Sequence, residues 1–274
     1  MKKMKDLKPE LILWEAKSST ASDFVRIIEE VKREAKAKLK EADLLFRGQR
    51  EDKDLLPKLA RLDLRPKKTM REVEDMIIKE FKRTYIPYVD REWTDEWDIL
   101  ALAQHHGLPT RLLDWTFNAL QALWFAVRKP PAKDDEGNDK PGIVWVFLPT
   151  TEDYRKQEED KSPFEVKLSK IFRPRIVGRR LSSQSGVFTV HAMIDNSTMV
   201  RFNEHQRYKD KLKRIVIQPG SFPTIRKELD MLGINHSTAF PDLDGLCKHL
   251  EWRYSFYDDE IEQSDDKLQH IVKL

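Results

Sequence analysis

Three stretches of the sequence combine residue types that could do chemistry. The first is ADLLFRGQR at 42–50, where a short apolar run ends in Arg47, followed by Gly48 and Gln49. An arginine held at the end of a strand is rigid, and its planar fork can grip two phosphate oxygens at once. A glycine beside it removes the Cβ that would keep a ligand from the backbone. In the competing reading, Arg47 pairs with a buried carboxylate such as Asp114 and Gly48 only turns the chain.

The second stretch is LAQHHGLPTRLLDWTFNALQALWFA at 102–126. A helix stops at Gly107, Pro109 forces a turn, and Arg111, Asp114, Trp115 and Thr116 follow among leucines. Charged groups in an apolar run are costly unless they pair or meet a charged ligand. Arg111 and Asp114 therefore either bond each other or face a ligand. His105 and His106 sit at a helix C-terminus, where the dipole favours a protonated ring; they serve as a cap, or one of them does acid/base work.

The third is KIFRPRIVGRRLSSQSGVFTVHA at 170–192. Lys170, Arg173, Arg175, Arg179 and Arg180 come without an intervening acid, and Ser182, Ser183, Gln184, Ser185 and Gly186 follow. Positive charge followed by small hydrogen-bonding groups suits a phosphate, a pyrophosphate or a nucleic-acid backbone. A solvated basic loop is the plain alternative.

Other chemistry lacks its minimal hardware. There is no G-x-x-x-x-G-K-[ST] loop, no G-x-G-x-x-G turn and no H-E-x-x-H helix, so no metal site is expected. Cys247 is the one cysteine of the chain and reads as a small buried filler on a helix.

Several elements must position these residues. A Ser/Thr-rich start at Ser18 precedes Phe24, Ile27, Ile28 and Val31, which fall at helical spacing. A second helix is predicted over 70–88, with Val73, Ile77, Phe81 and Tyr85 four apart, and a third over 94–106. From Phe117 a helix with hardly any polar face is predicted to be buried nearly all round, its alanines allowing close backbone contact. Breakers and charges at 130–142 and 151–162 read as solvent loops around a strand at 143–148. Further strands are expected near 187–193 and 214–218, and helices near 222–232 and 242–249. The irregular interleaving argues for an α+β fold, with a mixed or antiparallel central sheet and helices packed on it.

Composition sets the outer bounds. With 35% charged residues but a formal net charge of +3, the chain is no polybasic coat for nucleic acid or lipid. No stretch approaches the ~18 apolar residues of a membrane span, and the charged start MKKMKDLKPE lacks the apolar core of a signal peptide. A cytoplasmic protein with no membrane partner is expected.

Taken together, FRGQ at Phe46, HHGLPTRLLDWT at His105 with ALWFA at Ala122, SSQSGVFTVH at Ser182 and FPDLDGLCKHL at Phe240 resemble the FRG domain, named for its Phe/Tyr-Arg-Gly motif. The resemblance implies a domain at 41–252, between a helical extension at 1–40 and a tail at 253–274. Members of that family are commonly bacterial and phage-associated, which implies a toxin or anti-phage effector with an antitoxin or defence-system protein as partner.

A looser similarity, to arginine-first ADP-ribosyltransferases, implies both a related sheet and a mechanism. In them a strand ending in Arg-Gly holds a phosphate of NAD, a second ends in hydroxyl residues before a helix with alanine and phenylalanine, and a later acid orients the nicotinamide ribose. Phe46-Arg47-Gly48 matches the first element. Leu113 to Thr116 with Ala122 and Phe125 stands for the second. The Glu-x-Glu or Gln-x-Glu pattern is missing, since Ser185 and Gly186 follow Gln184; Glu251, Asp242 and Asp244 are the spare acids.

On this resemblance NAD is the substrate, with Arg47, Thr116, Gln184 and His106 catalytic. Gly48, Gln49, Arg111, Asp114, Trp115, Ser183 and Ser185 join Arg47 in binding it. The rival expectation is a nucleic-acid or nuclease module working through Lys170, Arg173, Arg175, Arg179 and Arg180, and a third is a noncatalytic sensor or scaffold.

Overall fold

Local signals place most of the helices. In the computed structural model, which describes residues 14–38, 43–90, 92–175 and 185–260, α1 spans Ala21–Lys38 and buries Phe24, Ile27 and Val31. Helix α2, Met70–Thr84, starts on a reciprocal capping box between Thr69 and Glu72. It stops short of the predicted Tyr88, because Pro87 converts 86–88 into a separate 3-10 turn. Its buried edge is Met70, Glu74 and Ile78 rather than a stripe centred on Val73 and Ile77.

Helix α3, Glu96–His105, is capped by Asp95 and ends at Gly107, whose φ of 83° closes the last turn. Helix α4, Ala119–Val127, starts on the Asn118 side chain and is almost wholly buried. Three more follow among the described residues: α5 over Phe222–Met231, α6 over His236–Ala239 and α7 over Leu243–Tyr254.

Seven strands form one mixed sheet: β1 (Trp14–Ser18), β2 (Leu45–Gln49), β3 (Leu112–Thr116), β4 (Gly142–Phe147), β5 (Lys170–Phe172), β6 (Gly186–Val190) and β7 (Leu212–Ile217), in the spatial order β1-β7-β4-β2-β3-β6-β5. Only β1 and β7 run parallel; the other neighbours are antiparallel. The expected α+β architecture is the one observed. Strand β1 pairs with β7 and α1 packs on the common core, so the stretch expected as an N-terminal extension supplies an edge of the same sheet.

Strand pleating sends alternate residues to opposite faces. One face of the sheet carries two separate helical layers. Helices α1, α4 and α5 cover Phe46, Val144, Val146, Ile215 and Ile217, while α2 and α3 cover Leu112, Phe172, Phe188 and Val190. The other face packs Leu45, Trp115, Trp145 and Phe147 against loop residues Leu55, Phe202 and Tyr208. The two helical layers leave a gap over the junction of β2 and β3. Along β3 the side chains are buried except at Asp114, which lies in that gap.

Among the described residues no helix is long and apolar enough to cross a membrane.

Candidate functional site

The gap between the layers is an open cleft of about 610 Å³. Phe46, Arg47 and Gly48 of β2 and Asp114, Trp115 and Thr116 of β3 form its floor; Gln104 to Gly107 form one wall, and Ala122 and Phe125 of α4 the other. Asp242, which caps α7 by accepting from the Gly245 N–H at 2.7 Å, closes the rim.

Strands β2 and β3 are registered at a single pair, Phe46 opposite Thr116. Beyond it the backbone ladder gives way to a side chain: Arg47 Nη1 donates to the Asp114 carbonyl at 2.8 Å and lies 3.7 Å from that residue's carboxylate. The Arg47 side chain keeps 17% of its surface exposed and the Asp114 side chain 58%. Burial pulls the Arg47 pKa below its ordinary value, Asp114 opposes that shift and Arg61 adds to it. The Arg47 Nε–H is buried without a hydrogen-bond partner. Asp114 is aimed by a chain of bonds: Leu112 N–H to Thr110 Oγ1, Thr110 Oγ1 to Gln104 Oε1 at 2.7 Å, and Gln104 Nε2 to Asp114 Oδ2 at 3.0 Å. His105 and His106 end α3 on the same wall, their rings edge to face with centroids 5.0 Å apart.

Several expected ligand contacts have structural duties instead. Arg111 is sealed in the interior and bonded through two guanidinium nitrogens to both oxygens of Glu74, with further bonds to the carbonyls of Pro163 and Phe164. It meets neither Asp114 nor the cleft, because Glu74 already supplies the counter-charge from α2. Gly48 lies on the cleft, but its missing Cβ makes way for α4 rather than for a ligand: a Cβ there would stand 1.8 Å from the Ala122 carbonyl oxygen. The alanine-rich helix and the glycine thus form one close contact.

Gln49 accepts the Trp145 indole N–H at 2.8 Å on the opposite face. The Trp115 ring packs in the core against Phe147 and Phe202 and donates to Thr189 Oγ1, so only its backbone side borders the cleft. Ser185, in the left-handed region at φ 46°, accepts the Phe117 N–H through its carbonyl next to Thr116. Ser182, Ser183, Gln184, Arg179 and Arg180 lie outside the described residues. Cys247 is exposed, contrary to its reading as a buried filler, since α7 turns Gly245 and His249 inward instead.

The three described members of the basic run are engaged within the protein. Lys170 donates to the Glu152 carbonyl, Arg173 bonds Asp43 at 2.7 Å and stacks on Phe117, and Arg175 pairs with the buried Asp98 at 3.3 Å. Among the described residues no group of three or more His, Cys, Asp or Glu side chains could hold a metal ion.

Beneath the floor, His191 is buried with Nε2 3.0 Å from Thr189 Oγ1. Burial above all, with the charges of Arg47 and Arg111, pushes its pKa down to about 3, so the ring is neutral.

Gln104 was not singled out by sequence reasoning, although a polar residue beside the His105-His106 pair at a helix end was the available signal. Asp242 was one of three spare acids, and only the fold distinguishes it from Asp244 and Glu251, neither of which lines the cleft.

The fold and the cleft define a class: an α+β domain whose candidate ligand site is the gap between two helical layers on one sheet face. The family model of the FRG domain matches residues 42–135 of the chain. That match contains every residue named above as lining the cleft except Asp242. Neither the curated proteins nor the solved structures provide a match to the chain.

Proposed function

We propose that the cleft binds NAD and that the protein is an ADP-ribosyltransferase-like enzyme, acting as a bacterial toxin or anti-phage effector. The observation that carries this reading is the meeting of Arg47, Asp114, Thr116 and His106, from three separate elements, around one solvent-open cleft. Its volume falls within the few-hundred to ~1,000 Å³ range usual for small-molecule sites.

In this reading Arg47 takes the pyrophosphate, since a guanidinium has five N–H donors and only one is spent on the Asp114 carbonyl. Phe125, half-buried on the cleft wall, offers apolar surface to a base or the nicotinamide ring. The C1′–N bond of the nicotinamide ribose breaks heterolytically, and nicotinamide leaves with the bonding pair. The acceptor forms the new bond to C1′ and yields its proton to His106 or to water. The positive charge that develops on the ribose is stabilised by the carboxylate of Asp114 or Asp242. The nucleic-acid alternative loses support from Lys170, Arg173 and Arg175, each already paired within the fold.

Incubation of the purified protein with NAD and cell lysate is expected to release nicotinamide and label an acceptor. Arg47→Lys, which keeps the charge but loses the fork, is expected to reduce release by ~10²-fold or more, the scale of losing one transition-state contact. Calorimetry showing no NAD binding, together with no nicotinamide release, would overturn the reading. Salt-sensitive RNA binding in its place would revive the nucleic-acid alternative.

A further inference from the structure

Where it is described, the basic run at 170–180 is engaged within the fold, but a second basic segment is not. Residues 58–68, KLARLDLRPKK, hold Lys58, Arg61, Arg65, Lys67 and Lys68 against one acid, Asp63, in a chain whose net charge is only +3. All five are exposed. Among the described residues none of the five has a carboxylate at ion-pair distance; Lys58 donates to the Gly107 carbonyl at 2.8 Å and Arg61 Nε to the Pro57 carbonyl at 3.4 Å.

Two features of the segment cost stability that nothing inside the fold offsets. Lys67 is held at φ 67°, in the left-handed region that glycine or asparagine takes more easily. Lys67 and Lys68 also lead into α2, whose N-terminus disfavours cations. Glu72, the acid of its first turn, is engaged by the Thr69 N–H and hydroxyl. Strained backbone and uncompensated charge kept together at a surface are features of a binding site for an anion. The segment also adjoins the cleft. Gly107, which Lys58 holds, belongs to the cleft wall, the Leu59 N–H donates to the Thr110 carbonyl at 3.3 Å, and Arg61 is near enough to Arg47 to lower its pKa.

We propose that residues 58–68 bind the phosphodiester backbone of a nucleic-acid strand and hold it at the mouth of the cleft. An acidic protein fits less well. No large apolar side chain of the segment is exposed, since Leu59, Leu62 and Leu64 turn inwards onto Met70 and Met199. Protein interfaces draw their affinity from buried aromatic and aliphatic anchors, whereas backbone recognition needs only spaced cations. Under the NAD reading the strand is the acceptor; only that role rests on the reading, because binding is measured without NAD.

Fluorescence anisotropy of a labelled single-stranded oligonucleotide, made as RNA and as DNA, reads the contacts over a salt series. Five neutralised phosphates give a slope of about −3.5 in log K against log salt concentration. Arg65→Gln, Lys67→Gln and Lys68→Gln together should bring the slope to about −1.4 and weaken binding by ~10-fold or more. Arg173→Gln, which removes a paired cation of the other run, should leave the slope unchanged. Lys67→Gly should weaken binding without lowering the melting temperature, because glycine accepts the left-handed turn. The tighter of the two oligonucleotides assigns the source of the backbone.

No binding at low salt, or a slope unmoved by the triple variant, would overturn the proposal. A poly-glutamate peptide that competes as well as the strand would also overturn it, making an acidic protein the occupant. Strand binding without nicotinamide release from NAD would overturn the NAD reading and the acceptor role with it, and leave the binding surface standing.

Discussion

Two arginines separate the interior of this molecule from its candidate site. Arg111 and Arg47 both occur beside short apolar stretches, and both were reasonable phosphate ligands by residue type. The guanidinium of Arg111 is 1% exposed, bonds both oxygens of Glu74 and two loop carbonyls, and lies over the Phe164 ring. It ties α2, β3 and the 163–164 loop together. Arg47 makes one bond to a strand carbonyl and faces an exposed carboxylate at 3.7 Å. What differs is the supply of partners: where the fold satisfies the fork the residue is structural, and where it leaves donors over the residue is available to a ligand.

The comparison breaks most visibly at Glu74. Truncation to Ala leaves Arg111 charged and unpaired in a dry environment, a loss of about 3–5 kcal/mol by analogy with other buried pairs. Urea denaturation is expected to show this as a lower midpoint with little change in slope. Replacing both partners, with Arg111→Met and Glu74→Leu, should recover most of the loss, because the isolated charge and not the missing attraction carries the penalty. If Glu74→Ala cost under ~1 kcal/mol, Arg111 would have to reach solvent, and the contrast with Arg47 would collapse.

His191 joins the two regions, since both arginines and its own burial lower its pKa from 6.5 to about 3. Between those values the unfolded chain takes up a proton that the folded chain refuses. The contribution of this group is therefore fully present above pH 6.5 and is lost as pH falls towards about 3. The slope reaches at most ~1.4 kcal/mol per pH unit. His191→Gln should flatten the pH dependence of stability between pH 6.5 and 3 relative to the unaltered protein. Equal slopes in the two proteins would show that the ring is protonated in the fold.

Much of this architecture was legible because its signals are local. The Ser/Thr start of α1, the stop of α3 at Gly107 and the apolar strands β4 and β7 depend on neighbouring residues and on a period of 3.6 or 2. Strand β3 was harder to read: Leu-Leu-Asp-Trp-Thr shows no clean alternation, because one face meets the core at Leu113 and Trp115 while the other passes from a helical layer into the cleft. The partner of Arg111 lies 37 residues away on α2 and follows no short-range rule. Gly48 reads identically whether it admits a ligand or a helix, and only the position of Ala122 decides. The convergence of Arg47, Asp114 and Thr116 was stated as an expectation on a family resemblance, while Gln104 and Asp242 entered the cleft only through the packing of α3 and α7 on the sheet.

The smallest expected effect on stability lies at the counterpart of Glu74. Asp114→Asn removes a carboxylate that is 58% exposed and 3.7 Å from its cation, so solvent already screens the attraction. The asparagine oxygen can still accept from Gln104, and the carbonyl that receives Arg47 belongs to the backbone and is unchanged. The variant should unfold within ~0.5 kcal/mol of the unaltered chain, against several for Glu74→Ala. Its effect belongs to the cleft: with the negative charge gone, Arg47 should bind an anion such as pyrophosphate more tightly, while any step needing a carboxylate beside a developing cation should slow. Calorimetric titration with pyrophosphate reads the first of these without reference to turnover. An Asp114→Asn protein as unstable as Glu74→Ala would make the Arg47 contact a second structural clamp and remove the physical basis for placing a ligand there.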